Sequence, residues 1–455
     1  MLYIESTLNH GSPPETSRSR GLGVADASLL VVGSIVGAGI FLVSPFVAQQ
    51  VRSPAAFLGV WLLGGAVALA GALSNGELGG LFPRSGGEYV YLREAYGPAF
   101  GFLSGWMSFW IAFPGSIAAL AAGFGATLAP MLGLAGARAP VVIGAVAIGA
   151  LTAVNALGIR PGKWTQNALS MVKLVVFAAL LALGLLVPHG GTPSGLTPFF
   201  VPGDHARGLA TALVPVMFAY SGWNAATYVS GEMRDPTRSL GRALAIGTAL
   251  CVVLYLVINA VYLRAMTLDA LTRTAEPARL AATRLGGDAV ALVLSPLVAV
   301  CVLSSMQASV LVGPRIYRAM AIDGLFFAPV GRLSAKTQSP IVALVAQSVV
   351  SIALLASGSF DQLLGFATFA IVAFSTLTVA AVIVLRRTRP EAPRAFRVPG
   401  GVLLPLLFVG VNVWVLWSVL AGGAREARVG LAIVASGVPA YLMFRALRRP
   451  KEIDG

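Results

Sequence analysis

About twelve stretches of roughly 20 mostly apolar residues divide this chain, and they leave it little choice of environment. They run at 24–48, 54–81, 99–129, 139–157, 166–187, 208–231, 240–264, 288–314, 339–357, 360–385, 401–421 and 427–444. In lipid every backbone group must find its partner within the segment, so such runs read as spanning helices. Composition agrees: 57% of the 455 residues are hydrophobic and 11% charged, against roughly 25% charged in soluble proteins. Too few charges remain to cover a soluble globule, and disorder is excluded. The 52 glycines follow no Gly-X-Y period, which excludes collagen. Cys251 and Cys301 both sit in apolar runs and read as small core residues, with no disulfide framework or cysteine metal site.

The net charge of +14 resembles that of a nucleic-acid binder until its placement is considered. With the amino terminus inside, 22 of the 32 lysines and arginines fall in inner segments, 9 in outer ones, and Lys173 alone lies within a span. That bias orients a twelve-span protein with both termini cytoplasmic. The basic residues are spread over many loops, so no nucleic acid is expected as partner. Residues 1–20 are polar, carry Gly11, Pro13 and Pro14, and read as a disordered tail. No positive stretch followed by an apolar one precedes the first span, so no cleavable signal peptide is expected.

Two spans carry marks of interruption. The first contains Gly33-Ser34-Ile35-Val36-Gly37-Ala38-Gly39-Ile40-Phe41, and each glycine costs a helix about 1 kcal/mol relative to alanine. The sixth contains Phe218-Ala219-Tyr220-Ser221-Gly222-Trp223-Asn224. First and sixth are the positions a five-plus-five inverted repeat requires, and breaks there mark a binding site at mid-membrane. Amides near Gly37, Ala38 and Gly39 would present the positive end of a resumed helix to a carboxylate. Carbonyls near Ser34, Ile35 and Phe218 would accept from an ammonium group. An α-amino acid backbone is thereby matched without a charged side chain. The structural alternative is that the glycines are packing sites between helices.

Lys173 reads in one of three ways: an ammonium occupying a would-be cation site, a tether between spans, or a side chain reaching the interface. Ser304, Ser305 and Ser309 could accept its hydrogen bond. Glu77 and Glu232 fall at inner span ends, where pairing with basic loop residues is expected. Asp26 reads as a helix-start residue or part of an inner gate. No set of membrane carboxylates resembles a sodium cage, and His10, His189 and His205 lie outside the spans. Neither a metal nor a cofactor is expected, nor an enzyme. No HExxH, paired membrane aspartates or nucleophile–base pair appears in the spans. A channel would want a more continuous polar pore.

Together these residues resemble the amino acid–polyamine–organocation superfamily, nearest to its L-type amino acid transporter branch and bacterial relatives. The likeness covers most of the chain. It rests on the first-span segment; on Gly76-Glu77-Leu78 and Phe82-Pro83-Arg84-Ser85-Gly86-Gly87-Glu88-Tyr89-Val90-Tyr91 with Tyr96-Gly97; on Asn155-Ala156-Leu157-Gly158 leading to Lys173; on the sixth-span segment with Glu232, Pro236 and Arg238; and on Tyr255-Leu256-Val257-Ile258-Asn259 with Tyr262.

The resemblance implies an all-α polytopic membrane protein with a leucine-transporter-like five-plus-five inverted repeat and two extra helices. A tail 1–20, repeats 21–190 and 206–386, helices eleven and twelve at 400–446 and a tail 447–455 follow. It implies substrate contacts at Ser34, Ile35, Gly37, Ala38, Gly39, Phe218, Ser221, Gly222, Asn224 and Tyr255, with the Phe218 ring as gate. Lys173, with Ser305 as partner, would replace a sodium ion. Ala38 stands where serine is common, so a hydroxyl contact is lost. Leu132 to Pro140 lacks the cysteine that bridges animal members to a heavy chain, so no covalently linked heavy subunit is expected. Gln307 stands where small or amide residues are usual, a matter for the site or for packing. The implied activity is sodium-independent secondary transport of small or apolar neutral L-amino acids across a plasma membrane, a bacterial inner membrane, by exchange or with protons. A polyamine or cationic amino acid permease and a non-transporting amino acid sensor remain the alternatives.

Overall fold

A computed structural model describes residues 22–187, 196–201, 206–274, 276–358, 360–422 and 425–447. The tail 1–20, the three histidines and residues 448–455 lie outside them. Among the described residues ten helices are long and apolar enough to cross a membrane, and Ile341–Ser357 is a shorter apolar helix. The remaining span, the sixth, is Ala206–Tyr220 continued by the 3₁₀ segment Ala225–Glu232. All twelve expected stretches are therefore helical.

The ends differ from the hydropathy reading. The fifth span is Ile159–Leu186 and the eighth Asp288–Ile322, each starting or ending several residues beyond its apolar run. Lys163 and Arg315 sit on these extensions, in ion pairs with Asp26 and Glu232. A helix can leave the hydrocarbon and continue where water and counter-charges meet its polar turns. Short helices Glu88–Tyr96, Leu268–Thr272 and Pro277–Gly286 fill connections. Proline in the first turn opens many of the helices, at Pro54, Pro98, Pro236 and Pro277 among others, where its missing N–H has no helical partner in any case.

The packing has an exchange symmetry. The second span packs on the seventh, the third on the eighth and the fourth on the ninth. The contact of the first with the fifth is matched by that of the sixth with the tenth, and the first with the seventh by the sixth with the second. Five spans per unit place the second unit upside down relative to the first, which is the leucine-transporter-like inverted repeat. Spans eleven and twelve lie at the edge. Their apolar stretches are 22% and 17% buried, against 56% for Pro54–Leu81. Apolar side chains such as Val146, Leu292 and Trp417 point outward, as a lipid-facing surface requires. The face bearing Glu88–Tyr96 is called the inner face below.

The third span contains a π-helical segment, Ser108–Ala112, just before Pro114. Such a segment and a proline both free backbone carbonyls. The Tyr317 hydroxyl of the eighth span donates to Ser108 O at 3.1 Å.

Candidate functional site

The first span is broken where its glycines are densest. Helix Val24–Ile35 stops, Val36 and Gly37 are non-helical, and Ala38 opens a second segment, Ala38–Leu42, followed by Ser44–Gln50. A helix that ends inside a protein leaves its last carbonyls without helical partners. Side chains from three other spans reach three of them. Lys173 Nζ donates to Gly33 O at 2.6 Å. The Tyr255 hydroxyl donates to Ile35 O at 2.6 Å. The Ser305 hydroxyl lies 3.2 Å from Val36 O and 3.3 Å from Gly33 O. None of these reaches the carbonyl of Ser34, a residue on the wall of the central cavity. The Ser34 hydroxyl is itself buried without a partner among the described residues.

The sixth span breaks at the same depth. Helix Ala206–Tyr220 ends in a turn through Ser221–Asn224. Gly222 adopts φ 101°, a left-handed conformation that favours glycine. A side chain there would also stand 2.7 Å from Ser34 Cβ. The two breaks thus meet backbone to backbone. Tyr255 joins them, because its hydroxyl also lies 3.0 Å from Ala219 O, and Trp61 and Tyr220 pack around its ring. Gly39 approaches Ala219 closely on the far side of the break.

Lys173 is fully buried and points inward to the break, not out to the interface. Besides Gly33 O, its ammonium donates to Ser305 Oγ at 2.9 Å. One cation thereby ties the fifth and eighth spans to the end of the first half-helix.

A cavity of about 90 Å³ lies at the breaks and is partly open to solvent. Ser34, Ile35, Gly39, Phe218, Ser221, Gly222, Asn224 and Ser305 all line it. Gly37 and Lys173 stand behind this wall, and Tyr255 is buried between the breaks. The Phe218 carbonyl accepts from Ser221 N–H at 2.9 Å, and Ile35 O is held by Tyr255, so two carbonyls expected to receive an ammonium group are already in use. Asn224 faces inward. Its amide donates to Glu88 Oε1 at 3.0 Å and to the Tyr228 hydroxyl at 2.9 Å.

Sequence reasoning overlooked much of the wall. Ser104, Ser108 and Ser116 of the third span, Ser309 of the eighth, Phe374 of the tenth and Glu88 all line the cavity. In the sequence Glu88 is one residue of the Phe82–Tyr91 motif and carries no mark of burial. Burial raises its carboxyl to about 7 despite the hydrogen bond from Asn224. Gln307 lies off the cavity, donating to Gly162 O at 3.2 Å and accepting from Asn155 at 2.8 Å, a packing role between spans.

The remaining acids pair as expected. Glu77 receives a two-pronged contact from Arg386, at 2.8 and 2.6 Å, and the Val398 amide at 2.9 Å. Glu232 pairs with Arg315 at 2.8 Å. Asp26 takes the helix-start role, accepting from Gly23 N–H, and also pairs with Lys163 at 3.1 Å.

Residues 22–436 match the amino acid permease family. The chain is 29% identical to the b(0,+)-type amino acid transporter 1 of Rattus norvegicus over 97% of its own length and 91% of the relative's. It is 29% identical to the serine/threonine exchanger SteT of Bacillus subtilis (strain 168), over 92% and 95%. It is also 29% identical to the large neutral amino acids transporter small subunit 2 of Homo sapiens, over 93% and 80%. Two broken helices meeting at a central cavity, in a twelve-span inverted repeat matched along nearly its whole length, place this chain in the amino acid permease family of membrane transporters.

Proposed function

We propose that the protein is a sodium-independent exchanger of small or apolar neutral L-amino acids, working by alternating access. The observation that carries this is the junction of the two breaks at Ser34 and Gly222, with Lys173 donating to the neighbouring Gly33 carbonyl and to Ser305. The resumed helix meets the cavity at Gly39 and would offer an amide there to a carboxylate, and the Ser34 carbonyl, which Lys173, Tyr255 and Ser305 do not reach, would accept from an ammonium. Lys173 supplies the positive charge a sodium ion would otherwise bring, so sodium is dispensable. Met107, Leu120, Ile371 and Phe374 give the side-chain region an apolar wall.

Spans 1, 2, 6 and 7 would rock against spans 3, 4, 5, 8, 9 and 10, with repeats at 21–190 and 206–386. The termini would be cytoplasmic and the membrane a plasma membrane. Two relatives carry names that fit, a serine/threonine exchanger and a transporter of large neutral amino acids. The human relative is named a small subunit. Here both cysteines are buried and neither lies in Leu132–Pro140, so no disulfide-linked partner is proposed.

The test is counterflow in liposomes. Uptake of labelled L-serine should require unlabelled amino acid inside and be unchanged when sodium is replaced by choline. Uptake driven by a proton gradient into empty vesicles would replace exchange by proton symport. Calorimetric binding with no flux would make the protein a sensor.

A further inference from the structure

Among the described residues the cavity wall carries one ionisable carboxylate, Glu88, that recognition of an amino acid backbone does not use. Gly86 and Gly87, both at positive φ, turn the chain sharply after the second span so that Glu88 begins a helix against the sixth span. A side chain on Gly87 would overlap the Tyr228 ring. The turn therefore sets a buried carboxyl against the inner end of the same cavity whose outer end is the paired breaks. Among the described residues Glu88 accepts one hydrogen bond, at Oε1 from Asn224.

Among the described residues its surroundings offer no counter-charge. From the sixth span Asn224 and Tyr228 face it, with Thr227 alongside Gly87, and Tyr91 faces it from its own helix. Tyr317 of the eighth span stands near Tyr228. The wall residues of the third and tenth spans at this cavity are serines and apolar side chains. Nearby charged groups of the inner face are engaged elsewhere: Arg93 with Asp323 and Glu94, and Arg315 with Glu232. An ionised carboxylate without a paired cation is costly in a buried wall, and any cation that enters the cavity relieves that cost.

We propose that Glu88 makes the inner end of the cavity a subsite for cations. It takes the terminal ammonium or guanidinium of a dibasic amino acid when ionised, and a proton when the substrate is neutral. This rests on the cavity being the amino acid site proposed above. It widens the substrate class from neutral to cationic amino acids, with proton and cationic side chain competing for one group. Burial brings the carboxyl to about 7, so its ionised fraction falls about tenfold from pH 8 to pH 6. Lysine should bind better at the higher pH.

The experiment is competition by unlabelled L-lysine and L-alanine against labelled L-serine in liposome exchange at pH 6 and pH 8. The ratio of the lysine to the alanine half-inhibitory concentration should rise up to about tenfold at the lower pH. In Glu88→Gln the ratio should be high and the same at both values, and Glu88→Asp should keep a pH-dependent ratio. If Glu88→Gln carries no flux, binding of labelled L-serine to the purified protein reads the same ratio. A flat ratio in the unaltered protein, no competition by lysine at either pH, or a pH-dependent ratio persisting in Glu88→Gln overturns the subsite. In each of those cases serine exchange continues and the amino acid reading stands. Absence of any serine binding or flux removes that reading instead, and the subsite with it.

Discussion

Lys173 donates to Gly33 O and Ser305 with no carboxylate partner in either contact, so its removal strands acceptors in a dry interior. Lys173→Ala should cost about 2–4 kcal/mol, as lost charge-assisted hydrogen bonds plus a cavity. A thermal shift of purified protein should register it, and serine exchange should fall by tenfold or more. Gly222→Ala should fail for a different reason: alanine is strained at φ 101° and its methyl would press on Ser34. About 1–2 kcal/mol of strain is expected, and the same two measurements should show exchange lost more completely than stability. Lys173 and the glycines were legible in sequence because each is an anomaly in its setting, a lone charge or a run of weak helix formers within an apolar span. Glu88 was not. Carboxylates in a polar loop are commonplace, and its burial arises only when the third, sixth and tenth spans close around that loop. The hold of Tyr255 on Ile35 O was equally hidden, since 220 residues separate them.

The spans are joined by latches at their ends. At the inner face Asp26–Lys163 ties the first span to the fifth, and Glu232–Arg315 ties the sixth to the eighth. At the outer face Arg264 of the seventh donates to Gly184 O and Val187 O of the fifth. Each joins a helix expected to move to one expected to stay. Lys163 and Asp26 are each about a third exposed, so their pair contributes about 0.5–1 kcal/mol at most. That is small for stability and sufficient to shift a conformational equilibrium severalfold. Asp26→Asn with Glu232→Gln should therefore raise the rate of maleimide labelling at an introduced Ser309→Cys several times over. The two native cysteines are buried and give little background. An unchanged rate would mean the pairs do not close the inner path. Element identity was readable from hydropathy, while helix ends were not, because a hydropathy window reports the lipid contact of a helix and not its length.

At the scale of the molecule, lysine and arginine placement gave an orientation that the packing symmetry then accommodates. Arg138→Cys and Glu391→Cys should react with a membrane-impermeant thiol reagent from opposite sides, Arg138 from outside intact cells. Labelling of both from one side would invalidate the twelve-span topology. Spans eleven and twelve contact the core on one side only, consistent with a role in seating the transporter in lipid. The π-helical segment Ser108–Ala112 has a larger consequence. An α-helix advances about 100° per residue, so Ser104 and Leu120 would face about 160° apart in an unbroken third span. Taking up one additional residue brings them within about 60°, and both line the cavity. The upper half of this helix is thus clocked by a single residue of register. An insertion of one residue after the segment, or its reversion to α-helix at unchanged length, would swing Ser116 and Leu120 by about 100° out of the binding chamber while leaving every side chain intact. Deleting the additional residue would keep them there, so register can redraw substrate choice where no point substitution would.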